Sequence, residues 1–352
     1  MKLYLYLCGS QRYNFYPKKK ENEMKKLIQN ILKFILPFLL GGFVLYWVYH
    51  DFDFFAVKDT FLYHTNWWWM TASLFFGLLS HVLRGVRWLQ TLEPLHATPR
   101  RTNCVDAIFL SYASSLILPR MGEMSRCAVL KKSDNISLAQ SLGTVVTERL
   151  IDTFCILSIT ALTFLCEIPV FMTFFRETGT KVPSLLHLFS SPWFYVSLFC
   201  VIGVVWILCR LLRILSFYEK VKGIALNMIE GMKSLHGVSN KPLFVLYTIG
   251  IWGCYILHFY LTFFCFPFSE HLSFGAAMVM FTGGTFAVIV PTPNGAGPWH
   301  FAVITMMMLY GVSPTDASVF ALIVHAIQTL LVIILGLYGL LHQMYLHTAS
   351  NK

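Results

Sequence analysis

WWWMTASLFFGLLSHVLRGVRW, residues 67–88, decides how this chain is read. Crossing a bilayer takes about 20 apolar residues at 1.5 Å rise each, and this stretch meets that length. Trp67, Trp68 and Trp69 supply the aromatic anchor expected where a span meets the outer interface. His81, Arg84 and Arg87 follow at successive i+3 positions near the other end, so they share a broad helix face. Charge inside a span is costly and turns toward a cavity or a partner. The simpler alternative is that Arg84 and Arg87 snorkel to the headgroups on their long stems.

The rest of the chain agrees with a membrane setting. Of 352 residues, 56% are hydrophobic and only 12% charged, whereas a soluble domain carries about 25% charged residues. Folded in water, such a chain would expose very large apolar patches. That excludes an ordinary soluble enzyme, a nucleic-acid-binding module and a disordered protein. Further apolar stretches of spanning length cover 31–49, 150–171, 193–212, 243–266 and 319–341. The expected fold is all-α, a polytopic bundle of six full spans. Two shorter stretches, 105–118 and 274–290, end at prolines and read as re-entrant or broken helical hairpins.

The net charge of +10 then reads as orientation. With the N-terminus cytoplasmic and 105–118 dipping in and out of one face, only Lys58, Arg176 and Lys181 of the 27 basic residues fall outside. Making 105–118 a full crossing destroys that asymmetry, so the positive-inside rule favours the re-entrant reading. The expected location is the cell (inner or plasma) membrane, multi-pass, with both termini cytoplasmic. Residues 1–30 form a polar basic tail, of which 1–23 read as a start-site extension ahead of Met24. The transmembrane domain covers 31–342, and 343–352 form a C-terminal tail. Within the domain, 216–238 place Val221, Ile224, Met228, Met232 and Leu235 at helical spacing opposite Lys220, Lys222, Glu230 and Lys233. This reads as a cytoplasmic amphipathic helix on the inner leaflet or against the bundle.

The breaks carry the functional information. Non-helical backbone at membrane depth survives only where it is buried in protein or lines a wet cavity. Leu118-Pro119-Arg120-Met121-Gly122-Glu123 breaks the first half, and Pro291-Thr292-Pro293-Asn294-Gly295-Ala296-Gly297-Pro298 the second. Interrupted segments in corresponding positions of two halves point to a transporter site and to an inverted repeat, here a hypothesis without visible sequence symmetry. Arg120 and Arg126 flank Gly122-Glu123, while Glu148 and Asp152 lie four apart on one helix face with Arg149 between them. Five arginines near one interface suit an anionic headgroup, because the guanidinium fork grips oxyanions in bidentate fashion. The alternative for Glu148 and Asp152 is a structural ion pair with Arg149 or Arg126. His325 and Gln328, at i and i+3 on the last span, face the cavity or bond another helix. No P-loop, GxSxG, HExxH or dinucleotide fingerprint is present. The nine cysteines form no CxxC pair, and they and the twelve histidines show no metal-ligand spacing. No cofactor or metal is expected.

RGVRW at 84–88, LPRMGEMSR at 118–126 and GTVVTERLID at 143–152 together resemble the flippase-like transmembrane family. This is the membrane region of lysylphosphatidylglycerol synthases, here in stand-alone form without the soluble synthase domain. The Pro291–Gly297 element is similar to that family's second Pro/Gly motif, with Asn294 at the first of its paired glycines. The resemblance covers roughly residues 25–340 and implies a translocase, not an enzyme, acting on a phospholipid or lipid-linked sugar. On that reading Arg84, Arg87, Arg120, Arg126 and Arg149 receive the headgroup, and Glu123, Glu148 and Asp152 balance their charge. Pro119, Gly122, Pro291, Pro293, Asn294, Gly295 and Gly297 form the breaks and gates. The other readings are a non-transporting partner of a glycosyltransferase or lipid-modifying enzyme, and an intramembrane transferase using Glu148 and Asp152.

Overall fold

The computed structural model describes residues 35–50, 52, 54–95, 99–117, 121–170, 195, 199, 226, 229 and 237–350. The expected span 193–212, the amphipathic helix 216–238 up to residue 236, the break at Pro119-Arg120 and residues 1–34 lie outside these, apart from the isolated positions named. Among the described residues the secondary structure is helical, with no strand.

Capping signals in the sequence set several boundaries. Helix α1 spans Ile35–Tyr49 and turns by 95° into α2, Phe54–Asp59, which runs on into a π turn, Thr60–His64. Asn66 caps α3, Trp67–Leu92, by accepting the Trp68 amide at 3.1 Å. The hairpin helices α4, Arg101–Ile117, and α5, Met121–Asp134, precede α6, Leu138–Cys166. Asn240 caps α7, Lys241–Tyr260, whose apolar run continues through a 3-10 segment, Leu261–Cys265. Ser273 caps α8, Phe274–Ala287. A 3-10 turn at Pro293–Gly295 leads to α9, Pro298–Leu309, and then to α10, Pro314–Ser350. By length and composition, Leu138–Cys166, Lys241–Cys265 and Pro314–Thr348 are each able to cross a membrane. Helix α3, 26 residues or about 39 Å long, packs antiparallel along α7.

Small residues make the closest crossings, as expected where apolar lipid offers helices no hydrophobic drive to associate. Gly77 lets α3 approach the His258 ring of α7, and Gly85 lets it approach Val105 of α4. Gly336 and Gly339 seat α10 against Ala113 and Phe109 of α4.

Both short segments fold as hairpins. Asn103 at the start of α4 donates to both carboxylate oxygens of Asp134 at the end of α5, at 3.0 and 2.9 Å. The two hairpin ends therefore sit side by side at one end of the bundle. A Cβ at Gly122 would run into the Ser111 carbonyl, so only glycine permits the return leg to lie this close. In the second half, α8 and α9 pack together, and a Cβ at Gly284 would stand 2.8 Å from Trp299 Nε1. Their open ends join the core formed by Met70, Phe263, Phe266 and Phe320, at the end of the bundle where α3 begins. The α4–α5 hairpin opens at the other end, where Trp88, Leu92, Cys104, Cys127, Leu130 and Val145 pack together. The two hairpins thus open at opposite ends of α3, and the Pro293–Gly295 turn reaches α4.

Two boundaries move with respect to the apolar runs. Helix α6 begins at Leu138, ten residues before Glu148, so Glu148, Arg149 and Asp152 sit well inside a helix rather than at its start. Ser and Thr at 141, 144 and 147 dilute the hydropathy of that first stretch without breaking the helix. Helix α10 likewise continues through residues 343–350.

Candidate functional site

Three helices place five charged side chains in one buried network. Arg84 and Arg87 come from α3, Arg126 from α5, and Glu148 and Asp152 from α6. Arg84 Nη1 donates to Asp152 Oδ2 at 2.7 Å, and Arg87 Nη2 to Asp152 Oδ1 at 3.0 Å. Arg87 also reaches Glu148 Oε1 at 3.5 Å, while Arg126 Nη1 donates to Glu148 Oε2 at 2.6 Å. Glu148 and Arg87 have no exposed surface, and Arg126 has 1%. Arg149 and Glu123 pair at 2.8 Å on the rim, where both are about half exposed, and Arg149 lies 4.0 Å from Asp152.

The alternatives left open by the sequence separate cleanly here. Arg84 and Arg87 do not snorkel, because their guanidinium groups are enclosed by protein. Glu148 and Asp152 are ion-paired, Glu148 with Arg126 and Arg87, Asp152 mainly with Arg84 and Arg87. The i, i+4 spacing on α6 matches the i, i+3 spacing on α3, so two carboxylates face two arginines across one helix contact.

The network is nevertheless not neutral. Among the described residues, three buried arginines face two carboxylates, and the rim pair adds no net charge, which leaves one excess positive charge. Desolvating each ion costs several kcal/mol unless its hydrogen bonds are complete. They are incomplete: Arg87 Nε, Arg126 Nε and Arg126 Nη2 have no partner among the described residues. Aromatic faces compensate in part, with the Arg126 guanidinium 4.7 Å from the Trp88 ring centre and that of Arg84 5.7 Å from Tyr255. Neutral hydroxyls complete the shell. Thr248 accepts from Arg87 at 3.2 Å, Tyr255 accepts from Arg84 at 3.2 Å, and Tyr112 and Tyr255 share a 2.7 Å bond. Sequence reading missed these, since a Tyr or Thr in an apolar helix carries no signal of its own.

The profile of the family described as the lysylphosphatidylglycerol synthase transmembrane region matches residues 34–336. The chain belongs to that family. A UPF0104 membrane protein of Methanocaldococcus jannaschii is 22% identical over 226 residues, covering 64% of this chain and 91% of its relative. No solved structure matches.

In this family member the second break has its own polar setting. Asn294 adopts φ 52°, ψ 22°, followed by Gly295 at φ 71° and Gly297 at φ 91°. After glycine, asparagine tolerates that left-handed region best, so Asn294 keeps the backbone path that a glycine would take. Its side chain also donates to Thr329 Oγ1 at 2.7 Å. His325 Nε2 lies 3.1 Å from the Asn294 carbonyl, which fixes α10 to the break and answers what this histidine faces. His300 accepts the Gly297 amide at 3.3 Å, and the His300 and His325 rings lie 4.5 Å apart. Thr292 Oγ1 and Gln328 Nε2 are buried beside this turn without a partner among the described residues. Pro291 and Pro293 frame the turn, while Arg120 and Pro119 lie outside the described residues.

A second polar cluster was absent from the sequence reading. Asp106 of α4 is 2% exposed and takes His342 Nδ1 at 2.6 Å and Gln343 Nε2 at 2.8 Å from α10. Gln343 also donates to Asn103 at 3.0 Å and accepts from Ser133 at 2.6 Å. The available signal was the carboxylate at position 106 inside an apolar run, which in a membrane segment marks a partner. Among the described residues no group of His, Cys, Asp and Glu could hold a metal ion.

Proposed function

We propose that this protein is a lipid translocase that passes an anionic headgroup, of a phospholipid or a lipid-linked sugar, between leaflets of the cell membrane. The observation that carries this reading is the buried Arg84, Arg87 and Arg126 network, with one excess positive charge and three guanidinium nitrogens that have no partner among the described residues. An oxyanion is the ligand that completes both the charge and the hydrogen bonds. Glu148 and Asp152 hold the arginines when no headgroup is bound, and exchange with the headgroup keeps either partner from becoming a trap. The opposed hairpins supply the moving parts. Opening the α4–α5 hairpin withdraws Arg126 from Glu148, because the two sit on different elements. Arg149, half exposed on the rim and paired with Glu123, is the first cation an incoming headgroup meets. The orientation follows from the distribution of basic residues, with both termini cytoplasmic.

The test is leaflet transfer in proteoliposomes. Fluorescent phosphatidylglycerol, and separately a polyprenyl-phosphate sugar, is followed by loss of signal to a membrane-impermeant reductant. Transfer above protein-free vesicles supports translocation. Transfer of neither probe, in vesicles shown to contain folded protein, overturns it.

A further inference from the structure

A cleft of about 480 Å³ lies between α3, α4 and α10, on the side of α4 away from the Gln343–Ser133 contact and separate from the arginine network. Its lining is graded. Leu78 and Val82 of α3, Phe109 of α4 and Leu335 of α10 form apolar walls. Arg101, Thr102 and His342 stand at the other end, beside the first turn of α4. His342 is held by Asp106 through Nδ1, and Tyr338 stacks on its ring at 5.8 Å with 17° between the planes. Leu335 to His342 spans seven residues of helix, about 10 Å at 1.5 Å per residue. The distance from apolar floor to basic rim therefore matches the upper part of an acyl chain and the phosphate above it.

We propose that this cleft is a binding site for one anionic phospholipid, distinct from the translocation path. The upper part of an acyl chain lies against Leu78, Val82, Phe109 and Leu335, and the phosphate is held by Arg101, with Thr102 and His342 beside it. Charge complementarity selects this occupant. A soluble phosphate would meet mainly hydrocarbon, and a neutral alkyl chain would leave Arg101 without a counter-ion. Asp106 also lines the cleft, but its carboxylate is 2% exposed and turned to two donors from α10, so it presents almost no surface to the bound phosphate. The lipid would bridge α3, α4 and α10, the elements that fix the base of the first hairpin. The site stands whether or not the chain moves lipid.

The full chain, delipidated in detergent, is titrated with phosphatidylglycerol, phosphatidylcholine or inorganic phosphate and read by native mass spectrometry. Wild type is expected to take one phosphatidylglycerol at least fivefold more tightly than phosphatidylcholine, with no competition from phosphate. Arg101→Glu should remove that preference and weaken phosphatidylglycerol at least tenfold. An acidic side chain in the first turn of α4 suits the helix dipole, so folding is retained. Leu335→Trp, which fills the apolar end, should weaken both lipids alike. Equal affinity for the two lipids in wild type, competition by free phosphate, or unchanged binding in both variants would overturn the proposal.

Discussion

Removing the Glu148 carboxylate is the perturbation that probes the buried network most sharply. Glu148 is fully buried and takes Arg126 at 2.6 Å and Arg87 at 3.5 Å. Glu148→Ala leaves three buried arginines against one carboxylate, raising the excess charge from one to two. Breaking a buried pair by deleting one partner costs about 3–5 kcal/mol, mostly the uncompensated charge that remains. At roughly 2 °C per kcal/mol for a large chain, the melting temperature should fall by about 6–10 °C. The rim supplies the internal control. Glu123 and Arg149 lie 2.8 Å apart but are about half exposed, so Glu123→Ala should cost no more than about 1 kcal/mol after screening. Pairwise removal gives the decisive arm. Glu148→Met with Arg126→Met restores the original balance and deletes the unpartnered Arg126 nitrogens, so it should recover at least half the loss. The assay is thermal unfolding of detergent-solubilised protein followed by size-exclusion chromatography. A Glu148→Ala variant no more destabilised than Glu123→Ala, or a double variant that melts lower than the single, would refute an uncompensated buried charge at this site.

Other consequences follow from the hairpins. Gly122→Val should force the α4–α5 hairpin open against the Ser111 carbonyl, lowering thermal stability by several degrees, whereas Ser125→Ala, on the same helix, should be nearly silent. Asn294→Gly keeps the left-handed backbone and loses only the bond to Thr329, so it should keep the fold and cost about 1 kcal/mol of stability. Asn294→Val places a β-branched residue at φ 52° and should cost about 1–3 kcal/mol on the same assay. Cysteines introduced at Lys131 and at Asp316 should be labelled by an impermeant maleimide from opposite sides of the membrane, and labelling from the same side contradicts the opposed hairpins.

Much of the architecture was legible because its causes are local. The Trp67–Trp69 anchor, the length of the apolar runs and the prolines at 291 and 293 each act on their own neighbourhood. Distribution of lysine and arginine favoured a return of 105–118 to the face it entered, and the Asn103–Asp134 bonds bring the outer ends of α4 and α5 together at one end of the bundle. Spacing along the chain also placed Arg84 with Arg87 on one helix face, and Glu148 with Asp152 on another. It was silent on register between helices, so which carboxylate meets which arginine came only from the packing of α3, α5 and α6. The hydroxyl shell and the Asp106–His342 pair were invisible for the same reason. Their partners are 143 to 236 residues apart in the chain and meet only through helix crossings. Helix α6 began earlier than its apolar run because hydropathy detects lipid-facing surface, whereas its first ten residues face protein.

The most direct measurement is the leaflet-transfer rate of fluorescent phosphatidylglycerol in proteoliposomes carrying wild type or the charge-balanced pair Arg126→Gln with Glu148→Gln. This pair deletes one cation and one anion of the network together, so fold and net charge are retained. If the buried arginines carry the headgroup, transfer in the pair variant falls at least tenfold while its melting temperature stays close to wild type. Wild-type transfer that persists undiminished in a folded pair variant would contradict the account.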